Sequence, residues 1–267
     1  MLAPKDAMEL LNIMTDLDIS VDGKVAILSL NRPEKLNALR TLTFNELRST
    51  VLCIRDDPSI RAVILTGKGR AFCSGADIAE YSSMKSVRDF LNFQENGERS
   101  YSALSTLEKP VIGAVNGYSL GGGFELALCC DVIIASQVSV FGFPEINLGL
   151  IPGGGTTVRL PIILGAFRSK DLFMSGRYVT AEEAHEMGIV SQVLPGELLM
   201  KSALRYANKL VAMSPKAIAS VKRLVNIASY QHNSEHFKQE LAEISELYGT
   251  VEAKEKIRSF ISKQKRV

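Results

Sequence analysis

Four cysteines and three histidines are all this chain offers toward metal or disulfide chemistry, and neither set is spaced for it. Cys53, Cys73, Cys129 and Cys130 form no C-x-x-C pair, and His185, His232 and His236 do not join them in a ligand pattern. No metal and no disulfide framework is expected, and reducing surroundings suit such thiols. The formal net charge of +2 is too small to imply nucleic acid by itself. The longest apolar runs, such as residues 132–135 and 149–152, are far too short for a membrane span. Low-complexity linkers and short sequence repeats are also missing. Met1 to Asp18 carries Asp6, Glu9, Asp16 and Asp18 against one lysine and no arginine, unlike an amphipathic presequence, and it lacks the apolar core of a secretory signal. The expectation is a soluble protein of the cytoplasm if bacterial, or of the mitochondrial matrix if eukaryotic.

What is present is ordinary globular material: 267 residues, 46% hydrophobic and 22% charged, enough for one large domain or a core with an appendage. Val25 to Leu30 is β-rich, and Phe44, Leu47, Val51 and Ile54 then recur at helical spacing until Asp57-Pro58. Ala62 to Thr66 reads as a strand, Ser86 to Leu107 as mostly helix, and Val111 to Val115 and Val132 to Ala135 as further strands. Alternation of this kind predicts an α/β class. From Leu198 onward only helical patterns follow. Leu204, Ala207, Leu210 and Val211 share a face, and Ser214-Pro215 opens a segment carrying Ile218, Val221, Leu224 and Val225. A last set, Phe237, Leu241, Ile244 and Leu247, follows. These amphipathic helices need surfaces to cover. The expected division is a core over 1–197 and a helical region over 198–267.

Gly121-Gly122-Gly123 runs straight into Phe124-Glu125-Leu126-Ala127-Leu128, the opening of a helix on which Cys129 and Cys130 are also expected. Glycine allows close approach to a ligand, and the first amides of a helix lack intrahelical partners, so this turn can meet developing negative charge. Alone, it reads equally as a tight strand-to-helix turn. Two other turns add weight: Phe72-Cys73-Ser74-Gly75-Ala76-Asp77 after a strand, and Phe141-Gly142-Phe143-Pro144-Glu145. Taken singly, Glu125 reads as an acid stabilising a helix N-terminus, and Glu145 as a solvated turn carboxylate.

Together these residues resemble the enoyl-CoA hydratases of the crotonase superfamily. The resemblance rests on Asn31-Arg32-Pro33 with Leu36-Asn37-Ala38-Leu39, the FCSGAD turn, Lys109-Pro110-Val111-Ile112 running to Asn116-Gly117, the GGGFE segment, and Pro144-Glu145 followed by Gly149-Leu150-Ile151-Pro152-Gly153. It extends from about Asp18 to the C-terminus. It implies a spiral of strand–strand–helix turns with a C-terminal helical region, a homotrimer that often pairs into a hexamer, and an acyl-CoA thioester as substrate with no further cofactor.

An α,β-unsaturated thioester accepts water at its β-carbon when the carbonyl can hold enolate charge. Oxyanion donors, a base for water and an acid for the α-carbon are then required. The resemblance assigns the donors to the N–H groups of Ala76 and Gly122. It gives Glu145 the proton for the α-carbon and Glu125 a share in activating the water. It also places Lys35, Leu36 and Ala38 along the coenzyme, and Ala76, Asp77, Ile78 and Gly122 along the substrate. Phe260 and Lys263, within a basic C-terminal stretch, are assigned to the coenzyme head group.

Read from the residues alone, Asp77 suits capping or turn stabilisation, Lys35 equally an exposed turn, and the basic stretch a solvated tail. Ser74 lacks a nucleophile elbow, so acyl-enzyme chemistry with Ser74, Cys73 and His185 is not expected. Gly153-Gly154-Gly155-Thr156-Thr157 lacks the lysine of a phosphate loop and reads as a turn opening a helix through Val158 and Leu160. Thr156, Val158 and Phe143 depart from the usual family residues, and the segment from Glu80 to Gly97 is expected to line the acyl pocket. The leading expectation is reversible hydration of a trans-2-enoyl-CoA. The rivals are Δ3,Δ2-enoyl-CoA isomerisation and a CoA- or RNA-binding protein without turnover.

Overall fold

A computed structural model describes residues 14–230 and 234–264. The acidic residues Asp6 and Glu9, His232, and the basic pair Lys265 and Arg266 lie outside these, as do the side chains of His236 and Phe237. Among the described residues, ten strands fall into two sheets. The larger has the order β1 (Leu17–Asp22), β2 (Val25–Leu30), β3 (Ala62–Gly67), β5 (Val111–Val115), β7 (Val132–Ser136) and β10 (Gln192–Leu194). The smaller has the order β4 (Ala71–Cys73), β6 (Tyr118–Leu120), β8 (Val140–Gly142) and β9 (Tyr178–Thr180).

The interleaving of the numbers is the architecture. Each turn of the chain lays one strand in the large sheet and the next in the small one. A helix follows, and the chain returns one position over: β3–β4, β5–β6, β7–β8. This is the expected spiral. The large-sheet strands pair in parallel from β2 to β10, and β4, β6 and β8 pair in parallel as well.

Parallel strands covered on both faces need apolar residues at every position, and β3 is buried throughout. Val63 and Leu65 face the main core; Ala62 and Ile64 face a second cluster closed by Leu199, Ala203 and Ala207 of the helix Gly196–Val211. That helix is a covering layer of the large sheet, and the division expected at 197/198 falls inside it. On the opposite side, Phe44 of the helix Thr41–Asp56 meets Phe93 and Tyr101 of the helix Val87–Thr106 edge-on, with centroids 5.2 and 5.7 Å apart. Among the described residues no helix is long and apolar enough to cross a membrane.

One expected helix is shorter than its pattern. Gly122–Ala127 ends before the thiols, so Cys129 and Cys130 lie in the following turn. The apolar run offers no Gly or Pro stop, whereas Asp131 must enter β7 and its N–H donates to Val111 O across the sheet.

The final two helices, Ser234–Gly249 and Val251–Gln264, fold back over the helix Val87–Thr106 and the turn that carries Glu145. Tyr248 is their anchor. Its ring stacks on Phe90 at 3.9 Å, and its hydroxyl donates to Tyr81 O at 2.7 Å. Removing the ring deletes a buried stack and a buried hydrogen bond, so Tyr248→Ala should cost about 3 kcal/mol. The shift of the urea unfolding midpoint measures it.

Candidate active site

Three parallel strands of the small sheet end side by side, and each ends in one part of the expected site. Ala76 lies three residues after β4, Gly122 two after β6, and Glu145 three after β8. Parallel pairing with short connections brings residues from three distant parts of the sequence to one edge. Glu125 follows on the helix that Gly122 opens.

The glycines set how closely these turns approach. A Cβ on Gly123 would stand 2.2 Å from Cys73 O, so only a bare Cα lets the β6 turn lie against the β4 turn. Gly121 has φ +51°, and a Cβ there would meet Glu145 Oε1 at 2.5 Å. The carboxyl of the third turn thus rests over the glycine of the second. A Cβ built on Gly122 would lie 3.6 Å from Ala76 N, so the two expected donors are neighbours. Neither the Ala76 nor the Gly122 N–H donates to an acceptor of the chain among the described residues. Ala76 is fixed from the other side: Leu39 N donates to Gly75 O at 2.8 Å, and Asp77 N to Leu39 O at 2.7 Å.

Both carboxyls are enclosed. Glu125 is 6% exposed, and its Oε1 accepts from Gly153 N–H at 2.7 Å. Burial pushes its proton affinity well up, the charges of Glu145 and Glu240 push the same way, and the Gly153 amide and Arg159 oppose them. Glu145 is partly accessible as a residue, but its Oε2 is buried with no hydrogen-bond partner, and burial raises its pKa to about 7. Cys73 beside them is fully buried and its thiol is pushed up to about 12 by burial, a poor nucleophile. His185 bonds through Nδ1 to Val190 O.

The residues expected at the coenzyme sit on the segment that braces Ala76. Leu36 takes φ +51° after the turn Pro33–Lys35, and Leu36 O accepts from Ser74 N–H at 3.0 Å. Asn37 pins this segment by donating to Lys68 O and Ala71 O at 2.9 and 2.8 Å. Lys35 is exposed, and Ala38 O accepts from Arg32 at 2.6 Å. Asp77 caps the helix Ile78–Ser83 through Ala79 N–H and pairs with Arg32 at 2.9 Å. Phe260 is 39% exposed and Lys263 is exposed; their helix packs on Ile78–Ser83, but neither side chain bonds to the Pro33–Leu39 segment among the described residues.

Three contributors escape the sequence reading. Tyr101 donates to Gly122 O at 2.9 Å, and its ring stands 2.6 Å from where a Cβ on Gly154 would be. Arg159 is buried and donates to Gly154 O. Glu240, on the helix Ser234–Gly249, is buried against the turn that follows Gly153 and accepts from Gly155 N–H.

The profile of the family Enoyl-CoA hydratase/isomerase matches residues 20–267. The chain belongs to that family. It is 38% identical over 259 residues to a short-chain-enoyl-CoA hydratase of Clostridium acetobutylicum, covering 97% of both chains. It is 35% identical to a crotonyl-CoA hydratase of Syntrophomonas wolfei, covering 91% of this chain and 94% of the relative. Among solved structures, an enoyl-CoA hydratase/isomerase of Pseudoalteromonas atlantica superposes with a TM-score of 0.85 at 29% identity, covering 93% and 97% of the two chains.

For this family member the raised pKa of Glu145 has a measurable consequence. The protonated form is favoured in the folded state, so its stabilising contribution is complete below the unfolded carboxyl value near 4.5 and is lost as pH rises through about 7. The stability of the parent protein relative to Glu145→Gln should therefore fall between pH 5 and pH 8, by on the order of a few kcal/mol. Urea titrations at stepped pH measure it.

Proposed function

We propose that this protein catalyses reversible syn hydration of a trans-2-enoyl-CoA to a 3-hydroxyacyl-CoA. The observation that carries the reading is the meeting of two unpaired backbone N–H groups with two buried carboxyls of raised proton affinity. Relatives named short-chain-enoyl-CoA and crotonyl-CoA hydratases support it, and short acyl chains are the proposed substrates.

The thioester oxygen accepts from the N–H groups of Ala76 and Gly122. They are fixed before the reaction, so they favour the enolate over the ground-state carbonyl, each donor being worth about 10²–10³ in rate. Burial raises the proton affinity of both acids. Glu125, which Gly153 N–H and the charge of Arg159 pull back toward the ionised form, is proposed as the base, and Glu145, whose Oε2 accepts no hydrogen bond, as the acid, as the family resemblance implies. Glu125 holds the water and takes its proton as the oxygen bonds to the β-carbon. The π electrons of the alkene shift toward the carbonyl, and the enolate then collects a proton from Glu145 at the α-carbon. In the proposed pose both groups act from one face of the alkene, which makes the addition syn. Donors, base and acid are all supplied by the chain.

Lys35, Leu36 and Ala38 are proposed to run along the coenzyme, with Asp77 holding their segment through Arg32 and Ile78 beside the thioester. Phe260 and Lys263 are kept as head-group contacts. The proposed assembly is a homotrimer, or a dimer of trimers. Its support is the helix Pro215–Tyr230, where Val221, Leu224 and Val225 are 63%, 62% and 57% exposed on one side. The last two helices are proposed to close the acyl pocket with the segment from Glu80 to Gly97.

Incubation with crotonyl-CoA, followed by loss of conjugated-thioester absorbance, tests the activity. Glu125→Gln and Glu145→Gln should each lower kcat by about 10²–10⁴ with the protein still folded. Equal rates in all three proteins would defeat the assignment, and product analysis with a 3-enoyl-CoA separates isomerisation. Light scattering should give three or six copies per particle, and Leu224→Asp should yield smaller particles.

A further inference from the structure

Glu240 is a buried carboxylate far from Glu125 in sequence, carried by the helix Ser234–Gly249 and unused by the chemistry above. Its Oε1 accepts from Gly155 N–H at 2.7 Å, and its Oε2 accepts from Thr157 N–H at 3.1 Å and from the Thr157 hydroxyl. All three partners are donors; they favour the ionised carboxylate, while burial outweighs them and raises its proton affinity. They lie at the end of one turn and in the first residues of the helix Thr156–Leu164 that it opens, and the same turn presents Gly153 N–H to Glu125 Oε1 at 2.7 Å. Gly154 and Gly155 there have φ +58° and +73°, so the turn holds a left-handed course between the two glutamates. Arg159 braces it from below through Gly154 O.

We propose that Glu240 is a positioning residue for Glu125: by clamping Gly155 and Thr157 it holds the Gly153 amide on the site carboxyl, so that seating of the Ser234–Gly249 helix sets the geometry of the base. The inference rests on the hydratase reading for its kinetic consequence, but its structural part is independent of turnover. The same placement contributes electrostatically. The groups facing Glu125 are Glu145, Glu240, Arg159 and the Gly153 amide, with Tyr101, Tyr81 and Cys73 lining the same region. Of these, Glu145 and Glu240 raise its proton affinity, and the Gly153 amide and Arg159 lower it.

The test compares the full-length protein with Glu240→Gln, which keeps the shape but loses the charge and one accepting oxygen. Thr157→Val is the milder second variant and removes only the hydroxyl contact. Hydrogen exchange of the Gly153 amide is the first readout. The Gly153 amide touches Glu125 rather than Glu240, so a local loss at the clamp alone would leave its rate unchanged. It should exchange roughly tenfold faster or more in Glu240→Gln, and less so in Thr157→Val. Hydration of crotonyl-CoA is the second readout: kcat should fall roughly ten- to hundredfold while KM stays within about twofold. Unchanged Gly153 exchange in both folded variants overturns the proposal, as does an unchanged kcat beside faster exchange. Faster exchange in a protein whose parent hydrates no enoyl-CoA supports the clamp and rejects the hydratase reading instead.

Discussion

The contact on which the site depends is the bare Cα of Gly123 against the carbonyl of Cys73, nearer than any Cβ could come. That approach seats the turn after β6 against the turn after β4, and it leaves the amides of Ala76 and Gly122 side by side with no acceptor of their own among the described residues. Parallel strand pairing supplies the coarse alignment; glycine supplies the last ångströms. Two adjacent unpaired donors are costly in a folded chain, and such a cost persists where the surrounding structure fixes it. Here Leu39 holds Gly75 and Asp77 from one side, and Tyr101 holds Gly122 from the other.

Enclosure does the electrostatic part. The aromatic cluster of Tyr81, Phe90, Phe93 and Tyr248 covers the region with help from the last helices. Burial there pushes both site carboxyls upward in proton affinity. The same low-polarity surroundings strengthen hydrogen bonds from fixed amides to developing charge. The C-terminal helices thus meet the candidate site by two contacts, the anchor of Tyr248 on Tyr81 and Phe90 and the proposed clamp of Glu240 on Gly155.

Much of this was legible in the sequence, and what escaped did so for definable reasons. Helices with several turns of apolar spacing, such as Thr41–Asp56 with Phe44, Leu47, Val51 and Ile54, declare themselves. Buried strands such as β3 do so by unbroken apolar runs. The strands β4, β6 and β8 have three residues each, too few for a period, yet the candidate site residues follow them; the glycines and acids after them, read with the family resemblance, are what pointed there. The structural spiral leaves no sequence repeat because each turn packs against different neighbours. The helix at Gly122 was overextended to the thiols because Leu128, Cys129 and Cys130 contain no stop residue. Asp77 read correctly as a cap from its type and place alone. Tyr101, Arg159 and Glu240 carry no local signature, since each acts across the fold; Glu240 is 85 positions from its partner Gly155.

The central claim is that two amides from separate turns grip one thioester oxygen. Infrared difference spectroscopy of a saturated short acyl-CoA, isotopically labelled at the thioester carbonyl and bound to the intact protein, tests it without turnover. The account predicts a carbonyl stretch displaced to clearly lower wavenumber than in water, from two fixed donors in an enclosed site. A bound ligand whose carbonyl absorbs at its solution frequency would contradict it.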